Sequence, residues 1–207
     1  MENSIKNQET TGVCTGQTPS NHRKITWKKR FSAKRLAFMA VFVALSFAIS
    51  LLDFPIFPAT PFLKLDFGNV FILLISFLLG PIEGVIVCII KESLRILVST
   101  SGGIGELANM LTTCSYILLP SVVYHFRKGI KTVAWTLAVA CVIGVGVALF
   151  ANRYINFPLY MGDKAVVFFK QSFWFIVAFN FIKTVSIAVL TLLLYKRLSN
   201  FLKKLKI

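Results

Sequence analysis

The 207-residue sequence predicts an all-α integral membrane protein, with six transmembrane helices in a compact bundle and an ordered outer loop between helices 1 and 2. Three observations predict it. The chain is 56% hydrophobic and only 15% charged, where soluble domains run at about half apolar and about a quarter charged. Twenty Phe beside eight acidic residues leave too little polar surface to cover a water-soluble globule. The apolar residues fall in runs, several of them near the roughly 20 residues that a helix needs to cross a hydrocarbon core of about 30 Å. Finally, the basic residues gather at the edges of those runs. A net charge of +15 would point to nucleic acid on a soluble chain; here it points to the membrane surface, and no nucleic-acid partner is expected.

Residues 1–30 are expected as a basic cytoplasmic tail, 31–200 as the membrane domain and 201–207 as a basic cytoplasmic C-terminus. The first 21 residues are polar without hydrophobic period, which predicts disorder, and the basic stretch HRKITWKKRFSAKR comes next. Such a stretch before an apolar run also opens a signal peptide. No small-residue cleavage site comes after it and many similar runs do, so the first run is expected to remain as an uncleaved span.

Six runs are expected as helices, at about 34–52, 68–80, 82–98, 106–127, 132–151 and 171–195. Gly80-Pro81 allows only a tight turn between the second and third. The second is short for a full crossing, so it is expected to start in a loop that dips into the protein. With an internal N-terminus and six spans, the cytoplasmic side receives the N-terminal cluster, Arg127, Lys128, Lys131, Lys196, Arg197, Lys203, Lys204 and Lys206. The outer side keeps Lys64, Arg153, Lys164 and Lys170. Basic residues favour the cytoplasm, which places both termini inside.

Cys14, Cys88, Cys114 and Cys141 have no paired spacing, and His22 and His125 have no partners that suggest a triad. A disulfide framework or a metal site needs clustered ligands, so neither is expected, and the cysteines read as small packing residues.

Polar residues inside apolar runs carry the functional signal. A charge at the centre of a membrane helix costs roughly 2.5–3.5 kcal/mol on insertion scales. Lys183 lies near the middle of the last run with Asn180 one turn earlier on the same face, and a ligand-binding or coupling role is preferred to a structural hydrogen-bond pair. For Lys91, Glu92 and Arg95 in the third run the structural reading is preferred: Glu92 offsets local positive charge, and Arg95 snorkels to the headgroups. Glu106 opens the fourth run, where a carboxylate also suits the helix dipole; Asn109 lies one turn deeper. A capping role and a ligand role both stay open for this pair.

The first connection, DFPIFPATPFLKLDFGN, holds three prolines, which stiffen the chain. Ile56, Phe57, Phe62 and Leu63 would be wasted in water, so the loop is expected to fold back over the bundle and close a pocket. NRYINFPLYMGD, the fifth connection, is expected to behave likewise. Two aromatic-rich ordered loops on one face suggest a lidded site for a flat, partly apolar ligand, in preference to an interfacial aromatic belt. Ala40, Ala44 and Ala48 form a small-residue stripe that serves either internal packing or a partner subunit.

These landmarks, in order and from about Ala37 to Lys203, resemble the riboflavin-specific substrate-binding (S) components of the energy-coupling factor (ECF) transporters. They are Leu63-Lys64-Leu65-Asp66-Phe67 closing the proline-rich loop, Gly105-Glu106-Leu107-Ala108-Asn109, Asn152 with Pro158 and Tyr160, and Phe179-Asn180-Phe181-Ile182-Lys183. The chain departs from the usual pattern at Glu106 (commonly Gln), Glu92 (commonly Asn), Ala178 (commonly Pro), and Asn69 and Phe71 (commonly Asp and Pro).

The resemblance implies a bacterial cell-membrane protein of six helices that binds one riboflavin near the outer face, beneath the first loop. It implies no enzymatic activity and no cofactor, riboflavin being cargo. A transmembrane coupling subunit, docking on Ala40, Ala44 and Ala48, and two ATP-binding subunits are the implied partners in the bilayer. Leu63, Lys64, Asp66, Glu106, Asn109, Asn152, Tyr160, Asn180 and Lys183 are the expected ligand-binding residues. An S component for thiamine, folate or a biotin-like compound is the nearest alternative. A membrane-embedded lipid-modifying enzyme is more distant, because Asp53, Asp66 and Glu106 lack the paired spacing of a metal site and no nucleophile stands with a His.

Overall fold

The computed structural model describes residues 32–99, 102–127 and 129–204. The chain divides into Met1–Ser32 and a second, compact unit, Ala33–Ile207. The expected tail at 1–30 lies outside the described residues, as do Lys128, Lys206 and the side chains of Lys196, Arg197, Lys203 and Lys204.

The second unit is helical. In order come α1 (Ala33–Ser50), a hairpin of β1 (Phe54–Pro55) and β2 (Lys64–Leu65), α2 (Asn69–Leu78), α3 (Pro81–Val98), α4 (Ile104–Phe126) and α5 (Ile130–Ala151). A π-helical turn (Asn152–Asn156), α6 (Phe157–Met161), a 3₁₀ turn (Gly162–Lys164) and α7 (Ala165–Lys204) complete it. Each of the six apolar runs falls on a helix. Among the described residues, three helical stretches are long and apolar enough to cross a membrane: Ala33–Ser50, Ile104–Phe126 and Ile130–Tyr195. Helix α3 has the length, but Glu83, Lys91, Glu92 and Arg95 interrupt its apolar character. The ten residues of α2 span about 15 Å, half a bilayer core.

Local chemistry sets the boundaries. Gly80 adopts φ 134°, a conformation that side chains rarely tolerate, and Pro81 then opens α3 at the first helical position, where its missing N–H costs nothing. Gly103, at φ 87°, precedes α4 in the same way. The fifth connection differs from expectation: it is helix, not loop. Pro158 lacks an N–H and its ring crowds the preceding turn; the chain answers by widening that turn into the π-helix rather than by unwinding. Gly162, at φ 53°, ends α6. Helix α7 runs to Lys204, past the boundary expected at 200.

Eight of the ten α2 residues are buried, as befits a helix that is apolar all round, and Ile72, Leu73 and Ile75 are wholly enclosed. Helices α2 and α3 approach closely because Gly84 has no side chain: a Cβ there would meet Ser76 Cβ at 2.4 Å. Ser76 in turn accepts a 2.6 Å hydrogen bond from Ser121 of α4. A second apolar cluster joins Leu63 and Leu65 of the hairpin to Phe157, Ala165, Ile176 and Phe179. Phe57 packs on Phe175, and Phe62 on Phe157 and Phe168. The loop's apolar side chains are thus spent against α6 and α7. On α1, Met39, Phe42, Val43 and Ser46 face inward, while Ala40, Ala44 and Ala48 are exposed.

Candidate ligand-binding site

At the end of the bundle beneath the hairpin lies a cavity of about 640 Å³, within the roughly 300–1,000 Å³ of small-molecule sites. All nine ligand-binding residues expected from the sequence border it. Leu63, Lys64 and Asp66 come from the hairpin, Glu106 and Asn109 from the first turns of α4, Asn152 from the π-helical turn, Tyr160 from α6, and Asn180 and Lys183 from α7. Phe62, Phe157, Phe168 and Phe179 supply its aromatic wall.

The polar side chains are held in place. Lys183 Nζ donates to Asn109 Oδ1 at 2.5 Å and stands 5.9 Å from the centre of the Phe179 ring. Asn109 Nδ2 donates to Glu92 Oε1 at 2.6 Å, so one amide bridges α3 and α7. Asn180 Nδ2 donates to the Ile176 carbonyl and Asn152 Nδ2 to the Ala148 carbonyl, each one turn earlier. Asn156 Nδ2 donates to Asn152 Oδ1 at 3.0 Å. Its own Oδ1 is buried without a hydrogen-bond partner among the described residues, an acceptor in the wall that the sequence does not single out. The π-helical turn places Asn152 and Asn156 together, four residues apart on one face, and a loop would not have done so reliably.

Asp66 is fixed from two sides: Oδ1 accepts from the Gly68 N–H at 2.6 Å, and Oδ2 from Lys91 Nζ at 2.5 Å. Burial raises its carboxyl, but the Lys91 ammonium prevails and holds it below its usual value. Lys64 is exposed, with Nζ 3.8 Å from Asp53 Oδ1.

The expectation for Arg95 needs correction. It does not snorkel: its guanidinium donates to the Ser50 carbonyl at 2.7 Å and pairs with Asp53, tying α3 to the end of α1 at the cavity mouth. Glu92 also borders the cavity, while Lys91 is enclosed beside it. The signal for both was a helical one: Lys91, Glu92 and Arg95 stand at the level of Glu106 and Asn109 once α3 and α4 are paired antiparallel. Among the described residues no group of three His, Cys, Asp or Glu side chains is placed to hold a metal.

Comparison with known proteins shows the family to which the chain belongs. Residues 34–195 match the family model described as ECF transporter, substrate-specific component. The riboflavin transporter RibU of Staphylococcus aureus (strain TCH60) is 33% identical over 180 residues, covering 83% of this chain and 94% of that protein. The riboflavin transporter FmnP of Bacillus subtilis (strain 168) is 27% identical over 130 residues, 61% of this chain and 66% of its own. A solved structure of the S component of a bacterial ECF transporter superposes with a TM-score of 0.72 at 34% identity, covering 82% of this chain and 98% of that one. The chain therefore belongs to the substrate-specific components of the ECF transporters, and is a bacterial membrane transport component rather than an enzyme.

Proposed function

We propose that this chain captures riboflavin in the cavity beneath the hairpin, at the outer membrane face, and delivers it inward with an energising module. The observation that carries the reading is the cavity's composition: Phe62, Phe157, Phe168 and Phe179 stand beside four Asn amides, with the Lys183 ammonium and several carboxylates among the polar lining. Riboflavin has an apolar dimethylbenzene edge, an imide edge of donors and acceptors, and a hydroxylated ribityl chain. Phe side chains suit the ring system; Asn and Lys supply the complementary polar partners. Asn180 and Lys183 hold one polar edge, while Asn109, Glu106, Asn152 and Asn156 take the remaining groups. The similar proteins named as riboflavin transporters support the same cargo.

In this reading α1, α3, α4, α5 and α7 cross the bilayer, α2 completes a sixth crossing together with the loop that dips in before it, and both termini are cytoplasmic. The exposed stripe of Ala40, Ala44 and Ala48 docks on a transmembrane coupling subunit, which two ATP-binding subunits drive. Small residues let a partner helix approach closely. A thermal-shift series on the detergent-purified protein tests the cargo. Riboflavin raises the melting temperature by mass action, and thiamine, folate and biotin leave it unchanged; a shift with one of those and none with riboflavin overturns the assignment.

A further inference from the structure

Lys91 is the most deeply enclosed charge among the described residues, with no exposed surface, and it does not border the cavity. An ammonium in a membrane interior needs partners, and Lys91 finds them on three pieces of chain. Its Nζ donates to Asp66 Oδ2 of the loop at 2.5 Å, to Glu92 Oε1 of its own helix at 2.8 Å, and at 3.4 Å to Asn69 Oδ1 at the start of α2. The connection does not end there. Glu92 Oε1 also accepts from Asn109 Nδ2, and Asn109 Oδ1 accepts from Lys183 Nζ. An unbroken polar path thus runs from the loop that covers the cavity to the cation that lines it.

We infer that Lys91 is a positioning residue for cargo binding: a built-in counter-cation that fastens the Leu63–Asp66 stretch over the cavity and keeps Glu92 from capturing Lys183. Two carboxylates and two ammonium groups balance in this cluster. Without Lys91, Asp66 and Glu92 stand as like charges in a poorly screened interior, where repulsion is several-fold stronger than in water. Asp66 then loses the partner that ties the loop to α3. Glu92 is left with the amide of Asn109 and the nearby Lys183 ammonium, and it draws away the cation that the ligand needs. The titratable groups facing the cluster are Asp66 from the loop, Glu92 and Cys88 from α3, Cys114 from α4 and Lys183 from α7.

The binding half of this inference rests on the riboflavin reading; the loop half does not, and the test separates them. In Lys91→Met, amide hydrogen exchange over residues 60–68 of the ligand-free protein accelerates at least tenfold, while exchange in the interiors of α4 and α5 stays as in the wild type. Riboflavin affinity of the variant falls at least tenfold at pH 8 and recovers toward pH 6, where a proton on one carboxylate replaces the missing cation. The wild type is flat over that range, and Asn180→Ala is weakened equally throughout it. Wild-type exchange over 60–68, uniform loss of protection across the bundle, or an affinity loss independent of pH would each overturn the inference. Should Lys91→Met not yield folded protein, Lys91→Met/Glu92→Gln restores overall neutrality and decides the matter by the same exchange measurement: faster exchange over 60–68 supports the inference and unchanged exchange overturns it. If the wild type itself fails to bind riboflavin, the cargo assignment falls alone, and loop exchange still decides the role of Lys91.

Discussion

The Lys183 ammonium and the Asn109 amide, 74 positions apart in sequence, meet at 2.5 Å and fix the spacing of α7 and α4 at the cavity floor. Asn109 is simultaneously a donor to Glu92, so its amide cannot flip without breaking both contacts. The cation is therefore presented in one orientation.

Replacing Lys183 with Ala is expected to weaken riboflavin binding by at least about 1.5 kcal/mol, the worth of a hydrogen bond to a charged group, or roughly tenfold in Kd, and replacing the neutral Asn180 by about 0.5–1.5 kcal/mol. Equilibrium titration of the folded variants checks this. Unchanged affinity would remove both residues from the ligand's coordination.

The helices on the six apolar runs, the placement of Asn180 and Lys183 together on the cavity side of α7 and the inward fold of the loop were legible because each follows from a local rule: run length, helical spacing, or the cost of wetting Phe57 and Phe62. The fifth connection was not legible. Pro158 and Gly162 read as loop punctuation, and nothing in the sequence says that a π-helical turn will absorb the proline and line up Asn152 with Asn156. The structural reading of Glu92 holds, since it pairs with Lys91 at 2.8 Å, but its contact with Asn109 and those of Arg95 with Asp53 and the Ser50 carbonyl were not legible. These contacts depend on how α3 meets α4 and the end of α1, a tertiary register that one helix's own spacing does not encode.

Ala44→Trp is expected to abolish riboflavin uptake in cells while leaving binding by the isolated protein intact, since Ala44 is exposed on α1 and does not line the cavity. Uptake assays beside binding on the purified variant read the two separately. Loss of both together would mean that the stripe supports the fold of this chain.

Two glycine variants separate close packing from open surface. Gly84→Ala places a Cβ 2.4 Å from Ser76 Cβ and is expected to cost about 1–3 kcal/mol by overpacking. Gly146→Ala meets nothing within 4 Å and is expected to be neutral or stabilising by up to about 1 kcal/mol, from helix propensity. Thermal melting in one detergent compares them; equal midpoints would contradict the α2–α3 contact.

Phe157 is the hub of the rim, with Phe62, Phe168 and Phe169 ring centres 5.5–6.0 Å away. Phe157→Ala removes a buried aromatic at a cost of about 3–5 kcal/mol. It also frees the loop, so riboflavin is expected to dissociate faster with a smaller change in association. Stopped-flow fluorescence checks this, and an unchanged release rate would detach the aromatic rim from loop closure.

The assignment of the cavity beneath the hairpin as a riboflavin site meets its sharpest test in a titration of riboflavin fluorescence with the purified protein in detergent, beside a visible absorption spectrum of the protein as isolated. Stoichiometric quenching is expected, saturating at one riboflavin per chain and shifted to higher concentration in Lys183→Ala. Riboflavin fluorescence untouched by the folded wild-type protein would contradict the assignment.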